Sequence, residues 1–371
     1  MIPVLGECRK RGLTAFRRLG RAPDPSVTVR TLLALGVVVA IGIAACGDGE
    51  GELGASPDAA PGARTVLAEP TDATLVLDFI PNAVHAGIYT ALADGCYADR
   101  NLNLEIIEPT STADTLKLID AGKAEFGIAD GSDVAGQIDA GLGAKTIMAI
   151  VQRPQGQLIT LAESGIVGPA ELEGGTVGVS GVPSDTAVLE TIVRDAGGDP
   201  DQIEVVTLGF NGVQALENER VDGLVGFAAD AVQADLDGFP TRAFPLDEFG
   251  GPAYPGLVIF STEETIAGAP ELMSAFVECT VAGYEATLDD PDASTAHLLG
   301  AAPALDPDLV AAQLDLYEPQ FGGEASQLGA VEPEAVEALS DFLIANGLAD
   351  APIAPGRYGT NEFLPGGGPA E

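Results

Sequence analysis

From about residue 73 the chain alternates short apolar runs with segments whose apolar residues recur every three to four positions. These are the marks of strands and helices in turn. ATLVLDF, LNLEIIEP, AEFGIAD and KTIMAIVQ predict four strands, separated by helices over about 84–99, over 112–122 and in DVAGQIDAGL. The alternation restarts at GGTVGVS (174–180). A helix from Asp185 to about Ala196, a strand in IEVVTLGF, a helix in GVQALENER and a strand in VDGLVGFAA follow. After LVIFST at 257–262 only helical periods remain, at 270–289, 292–301, 306–317 and 332–346. Alternation at this spacing implies parallel sheets with helices on both faces. Two such units and a helical return predict an α/β protein of two lobes. Each lobe is a mostly parallel sheet flanked by helices, and two hinge crossings join them. The expected boundaries are 73–160 for the first part of lobe 1, 161–257 for lobe 2 and 258–371 for the return and C-terminal helices. Ligands of open α/β sheets bind beyond the carboxyl ends of the strands, so both sets of ends are expected to line one cleft.

The pattern before residue 73 is different. Residues 31–45, TLLALGVVVAIGIAA, carry no charge, follow Arg30 and end on small residues before Cys46. A basic segment, a short apolar run and small residues at a cut describe a secretory signal, and the run is too short to span a bilayer as a helix. Ile43-Ala44-Ala45-Cys46 resembles the bacterial lipobox, which implies cleavage before Cys46, lipidation of its thiol and anchoring on the outer face of the cell membrane. Residues 46–72, rich in Gly, Ala, Pro and acids, are expected to form a flexible tether.

Composition adds a large negative charge. The 371 residues hold 56 acidic against 17 basic side chains, a formal charge of −39. The first 45 residues carry seven Arg or Lys against two acids, a net of +5, so the remainder carries −44. Such a surface repels nucleic acid and anionic headgroups, and disfavours anionic ligands unless a local pocket overrides it. Beyond Cys8 and Cys46 the chain keeps only Cys96 and Cys279. In an exported protein these permit one disulfide; the alternative is two buried free thiols. With no CxxC pair and only His85 and His297, no metal site is expected.

Several stretches together resemble one family, the NMT1-like binding proteins for thiamine pyrimidine precursors. They are LDFIPNAVHAGIYTALADGCYADRNLNLEIIEP, DAGKAEFGIAD, LEGGTVGVSGVPSD, VDGLVGFAADAVQAD and YGTNEFLP, covering about 73–365. The resemblance implies a type II periplasmic-binding-protein fold and a solute-binding role beside an ABC permease and its ATPase. The family's first motif corresponds here to Asp78, Phe79, Pro81-Asn82, His85 and Tyr89. Some members of the family are pyrimidine synthases that use pyridoxal phosphate. Their cofactor Lys and following His are missing from Gly127–Asp133, and their cysteine-rich loop corresponds to Tyr254–Phe260, which has no Cys. The resemblance therefore implies a binder without cofactor rather than an enzyme.

Position along the pattern nominates the cleft residues. Asp78 and Asn82 follow the first strand, where Asp78 could accept hydrogen bonds from an amino-pyrimidine or an amine. His85 starts the next helix, where it meets a ring-shaped ligand or serves as cap and packing. Phe79 and Tyr89 are stacking walls or core. Ser111 and Thr112 stand at a helix start, as ligand donors or simple caps. Asp130 and Ser132 follow the third strand, and Gln152 the fourth. In the second unit Pro183, Ser184 and Asp185 open a helix, with Asp185 as its cap or its amides free for a ligand oxygen. Phe210, Asn211, Phe227 and Asp230 end the next two strands. The expected function is capture of a small aromatic heterocycle, such as a thiamine pyrimidine precursor, by a monomer that binds no nucleic acid. Riboflavin, sulfonate, taurine and nitrate are alternative solutes. A receptor in place of the permease is an alternative partner.

Overall fold

The computed structural model describes residues 64–323 and 325–367, without the side chain of Thr112. The expected signal segment, Cys46 and the tether as far as residue 63 lie outside the described residues. The strands are β1 Thr71–Val76, β2 Leu102–Ile107, β3 Phe126–Asp130, β4 Ala144–Val151, β5 Gly156–Leu161, β6 Thr176–Val179, β7 Glu204–Thr207, β8 Gly223–Phe227, β9 Thr241–Pro245 and β10 Leu257–Thr262. They form two five-stranded sheets, ordered β2-β1-β3-β10-β4 and β7-β6-β8-β5-β9. In the first sheet β1 pairs parallel with β2 and β3, while β10 runs antiparallel between β3 and β4. The second repeats the arrangement, with β6 parallel to β7 and β8 and with β5 antiparallel between β8 and β9. Each lobe is thus entered from the other along a strand that opposes the run of the sheet.

Helices cover both faces, which is why β3 is buried along its whole length and is apolar as far as Asp130. The helices start by a recurring device. Pro stands in the first turn of Pro183–Asp195, Pro270–Asp289, Pro291–Ala301, Pro307–Gly322 and Pro333–Ala345, where its missing N–H costs nothing. Asp290 and Asp306 cap two of them through the amides of Ala293 and Asp308. No helix among the described residues is long and apolar enough to cross a membrane.

Four sequence expectations change. The helix expected over 84–99 is a short 3-10 turn Ala83–His85, a helix Ala86–Ala93 and a turn Cys96–Asp99, broken at Gly95, where φ is +76°. Residues 156–161 pair with β8 and so belong to lobe 2, not to lobe 1 as a boundary at 160 implies. The first crossing is therefore 152–155, and the second is 246–256. The tether does not extend to residue 72. Thr65 bonds to Glu278, Leu67 is buried in the core, and β1 starts at Thr71. Finally β9, which pairs with β5, and the helix Ala228–Leu236 lie where no element was expected.

Two regions hold the body together. Cys96 and Cys279 form a disulfide that joins the turn after Gly95 to the helix Pro270–Asp289, closing a loop of 183 residues. Around it Arg100 pairs with Glu278, and the Tyr97 hydroxyl meets Thr280 Oγ1 at 2.9 Å. The crossings are fastened to each other. The Arg153 guanidinium reaches Asp247 and Glu248 of the second crossing, and the Gly256 amide donates to Val151 O at the end of β4 at 2.9 Å. A side chain at Gly256 would stand 2.1 Å from Arg153 O, so only glycine lets the two crossings lie this close.

Candidate functional site

A cavity of about 430 Å³ lies between the lobes, beyond the carboxyl ends of β1, β3, β6 and β8. Its size is that of a small-molecule site. Asp78 follows β1 and is buried; its Oδ1 lies 2.8 Å from His85 Nε2. The Asn82 amide donates to His85 Nδ1 at 3.2 Å, which leaves Nε2 to carry the proton donated to Asp78. His85 is wholly buried and does not line the cavity. Of its two expected roles it takes packing, and it fixes the carboxylate that does face the cleft. Asn82 lines the cavity, although its Oδ1 accepts from the Val84 amide and closes the 3-10 turn.

Three further carboxylates sit where helices begin. Asp130 caps the helix Gly131–Asp139, accepting from the amide of Ser132 at 2.8 Å and from its hydroxyl at 2.6 Å. Asp185 accepts from Gly181 N at 2.7 Å, Val182 N at 3.1 Å and the Ser180 hydroxyl at 3.0 Å. Asp230 accepts from Phe227 N at 2.7 Å. Helix N-termini in open α/β folds commonly bind anions. Here the protein's own carboxylates take up amides at these helix starts. Asp185 therefore acts as cap, and the amides of 181 and 182 are not free for a ligand oxygen.

Burial raises these acids. Asp130 is pushed up to about 6, by burial first and also by the charge of Asp185. Asp133, one turn further along the same helix, is pushed up to about 8 by burial and then by Asp130. Asp230 rises to about 6, and Asp185 also rises, both through burial. The physical cause is common: a carboxylate charge removed from water with no cation beside it. No Lys, Arg or His is among the lining residues.

Apolar and aromatic groups complete the walls. Phe79 of lobe 1 meets Phe210 of lobe 2 edge to face, with ring centroids 4.4 Å apart, so the lobes touch across the cleft mouth. Phe227 and Ser184 line the lobe 2 side, and Tyr254 reaches in from the second crossing. The return helix Pro307–Gly322 contributes Gln313 and Tyr317.

Other expected residues lie elsewhere. Tyr89 is core, in the helix Ala86–Ala93, and its hydroxyl is raised to about 12 by burial and Glu108. Ser111 precedes the helix Thr112–Asp120 outside the cavity, and the Thr112 side chain lies outside the described residues. Gln152 donates to Ala330 O at 2.9 Å and is not a lining residue; Gln155, three residues on, is. Pro183 starts its helix without lining the cavity, and Asn211 turns back to Leu208 O. Sequence reasoning missed Asp133, Gln155, Tyr254, Gln313 and Tyr317. For Asp133 a signal existed, namely its i+3 spacing from Asp130 at a helix start.

A family model described as NMT1/THI5 like matches residues 82–294. The chain is 30% identical over 227 residues to the formylaminopyrimidine-binding protein of Halalkalibacterium halodurans, covering 61% of this chain and 69% of that protein. It is 26% identical over 356 residues to the riboflavin-binding protein RibY of Chloroflexus aurantiacus, covering 91% and 98% respectively. Among solved structures, the alkanesulfonate-binding protein SsuA of Xanthomonas axonopodis pv. citri bound to MOPS superposes with a TM-score of 0.64. That match covers 80% of this chain and 100% of that one at 15% identity, a likeness of fold.

Proposed function

The chain belongs to the NMT1/THI5-like family, and from that premise we propose that it is the extracytoplasmic solute-binding lipoprotein of an ABC importer. Its ligand is a small aromatic heterocycle of the pyrimidine-precursor kind. Cys46 carries the lipid, and the loaded body delivers to a permease driven by its ATPase.

One observation carries the reading: an aromatic and acidic cavity lies between two lobes whose sheets are linked through the crossings 152–155 and 246–256. The rings of Phe79, Phe210 and Phe227 supply faces on which a flat ring stacks, and the carboxylates supply acceptors for its amino groups. Binding draws the lobes together about the crossings, and no bond is made or broken. Carboxylates at the helix starts disfavour sulfonate, nitrate and phosphate.

Thermal-shift and calorimetric screening of thiamine pyrimidine precursors, flavins, polyamines and sulfonates tests the reading. A pyrimidine precursor is expected to bind in the nanomolar to micromolar range, with a smaller radius of gyration in solution scattering. Binding without compaction would count against closure. The similarity to a riboflavin-binding protein over 91% of the chain favours a flavin as second candidate, and the same screen separates the two.

A further inference from the structure

We propose that the solute taken by this cleft is a cation, an amine-bearing molecule that presents N–H donors to both lobes and seats its positive charge between Asp130 and Asp133 on one side and Asp185 on the other. The inference deepens the solute-binding reading and rests on it.

The first support is the polarity of the walls. Asp78, Asp130, Asp133, Asp185 and Asp230 all face the cavity, and none of the lining residues is basic. These acids come from both lobes, so closing the cleft brings like charges together. A ligand that is itself an acceptor or an anion adds to that repulsion; a cation removes it.

The second support is independent of the acids. Gln155 and Gln313 line the cavity and are 2% and 6% exposed. Their amide nitrogens are fixed by backbone carbonyls: Gln155 donates to Arg153 O at 2.9 Å, and Gln313 to Ala229 O at 3.4 Å. Neither side chain can be turned end for end without losing that bond. In both, Oε1 is buried and has no hydrogen-bond partner among the described residues. A buried acceptor without a donor is unfavourable, and a donor on the ligand relieves it. Gln155 lies on the first crossing, and Gln313 on the return helix facing lobe 2. Two unpartnered acceptors and the acids together describe a cavity that requires donors.

Among the described residues the surroundings of the acid group supply no cation. Asp130 and Asp133 belong to the start of the helix Gly131–Asp139, and Asp185 to that of Pro183–Asp195. Tyr254 of the second crossing faces Asp130, and Tyr358 behind it donates to Gly131 O at 3.2 Å. Asp78 is engaged by His85 at 2.8 Å, and that imidazole carries its one proton there. Asp230 bonds to its own helix start, and Tyr317 stands beside it. Short of taking up protons, these acids are neutralised by a positive charge that the ligand brings.

Isosteric pairs test this on the intact protein by titration calorimetry at pH 7. One pair is an aminopyrimidine with an aminomethyl arm and its hydroxymethyl isostere; the other is 1,5-diaminopentane and 1,5-pentanediol. In whichever pair binds, the ammonium compound is expected to bind at least about ten-fold more tightly. Asp133→Asn and Asp185→Asn are expected to bring that ratio towards one. Equal or tighter binding of the neutral isostere, or binding of a sulfonate alone, overturns the cationic assignment and leaves the protein a solute binder. If no compound of either pair, no flavin and no sulfonate binds, the solute-binding reading falls and the inference with it.

Discussion

Asp78 depends on a side chain that the ligand never reaches. His85 donates to it inside the fold, and the Asn82 amide sets which imidazole nitrogen is free to do so. Replacing His85 by Ala leaves a buried carboxylate short of its donor. The expected loss is about 2–3 kcal/mol of stability by urea unfolding, with weaker ligand binding as well. The acids lining the cleft give the protein a pH dependence of definite sign. Asp130 and Asp230 rise to about 6 and Asp133 to about 8, against 3.8 ordinarily, so the folded chain holds protons that the unfolded chain has released. Stability contributed by these protons is present at low pH and is lost as pH rises through the folded values. The unliganded protein should therefore melt at a higher temperature at pH 5 than at pH 8, and Asp133→Asn should flatten the difference. A melting temperature that climbs over this range would contradict the placement of these acids. Asp78, Asp130, Asp185 and Asp230 were legible in the sequence because each lies at the turn from strand to helix, where side chains meet the cleft. Gln155 and Gln313 were not, because nothing local distinguishes a glutamine facing a cavity from one facing water.

At the scale of elements, the disulfide corner and the paired crossings do different work. Cys96–Cys279 closes a loop of 183 residues, so its loss releases much chain entropy in the unfolded state. The double change to Ala is expected to lower stability by about 2–5 kcal/mol in denaturant unfolding, and to leave ligand affinity unchanged, because the bond lies outside the cavity lining. Gly256→Ala acts at the crossings. Its methyl meets Arg153 O at 2.1 Å, and the strain is expected to cost about 1–3 kcal/mol and to weaken binding as well. Strands such as β3, β4 and β10 could be read because they are buried over most of their length and so form apolar runs. β5 and β9 could not. Gly156-Gln157 opens β5 with a residue of low strand preference, and β9 is the five-residue TRAFP, which ends on Pro at a sheet edge. β5 directly follows the first crossing, so missing it displaced the first lobe boundary.

The whole molecule is strongly acidic, with 56 acidic side chains against 17 basic ones. For a cationic solute that field is attractive at a distance and funnels into the cleft. Association should accordingly slow as ionic strength rises, while dissociation changes little, by stopped-flow fluorescence of Tyr quenching. A salt-independent on-rate would indicate that the outer charge serves solvation only. The two-lobed plan was legible because strand–helix alternation restarts once and ends in a helical return. The helix Pro307–Gly322 as a wall of the cavity was not, since its place depends on how a segment far along the chain folds back between the lobes.

The fastening of the two crossings has a mechanical consequence. Two independent straps would let lobe 2 rock, twist and shear against lobe 1, and a ligand would have to select among many relative poses. With Gly256 held against the end of β4 and Arg153 paired to Asp247 and Glu248, the two straps are expected to move together. What remains is in effect a single axis, like a door on one pin. Relative motion is then expected to favour opening and shutting, which would bring the two halves of the acceptor array to the solute in one register.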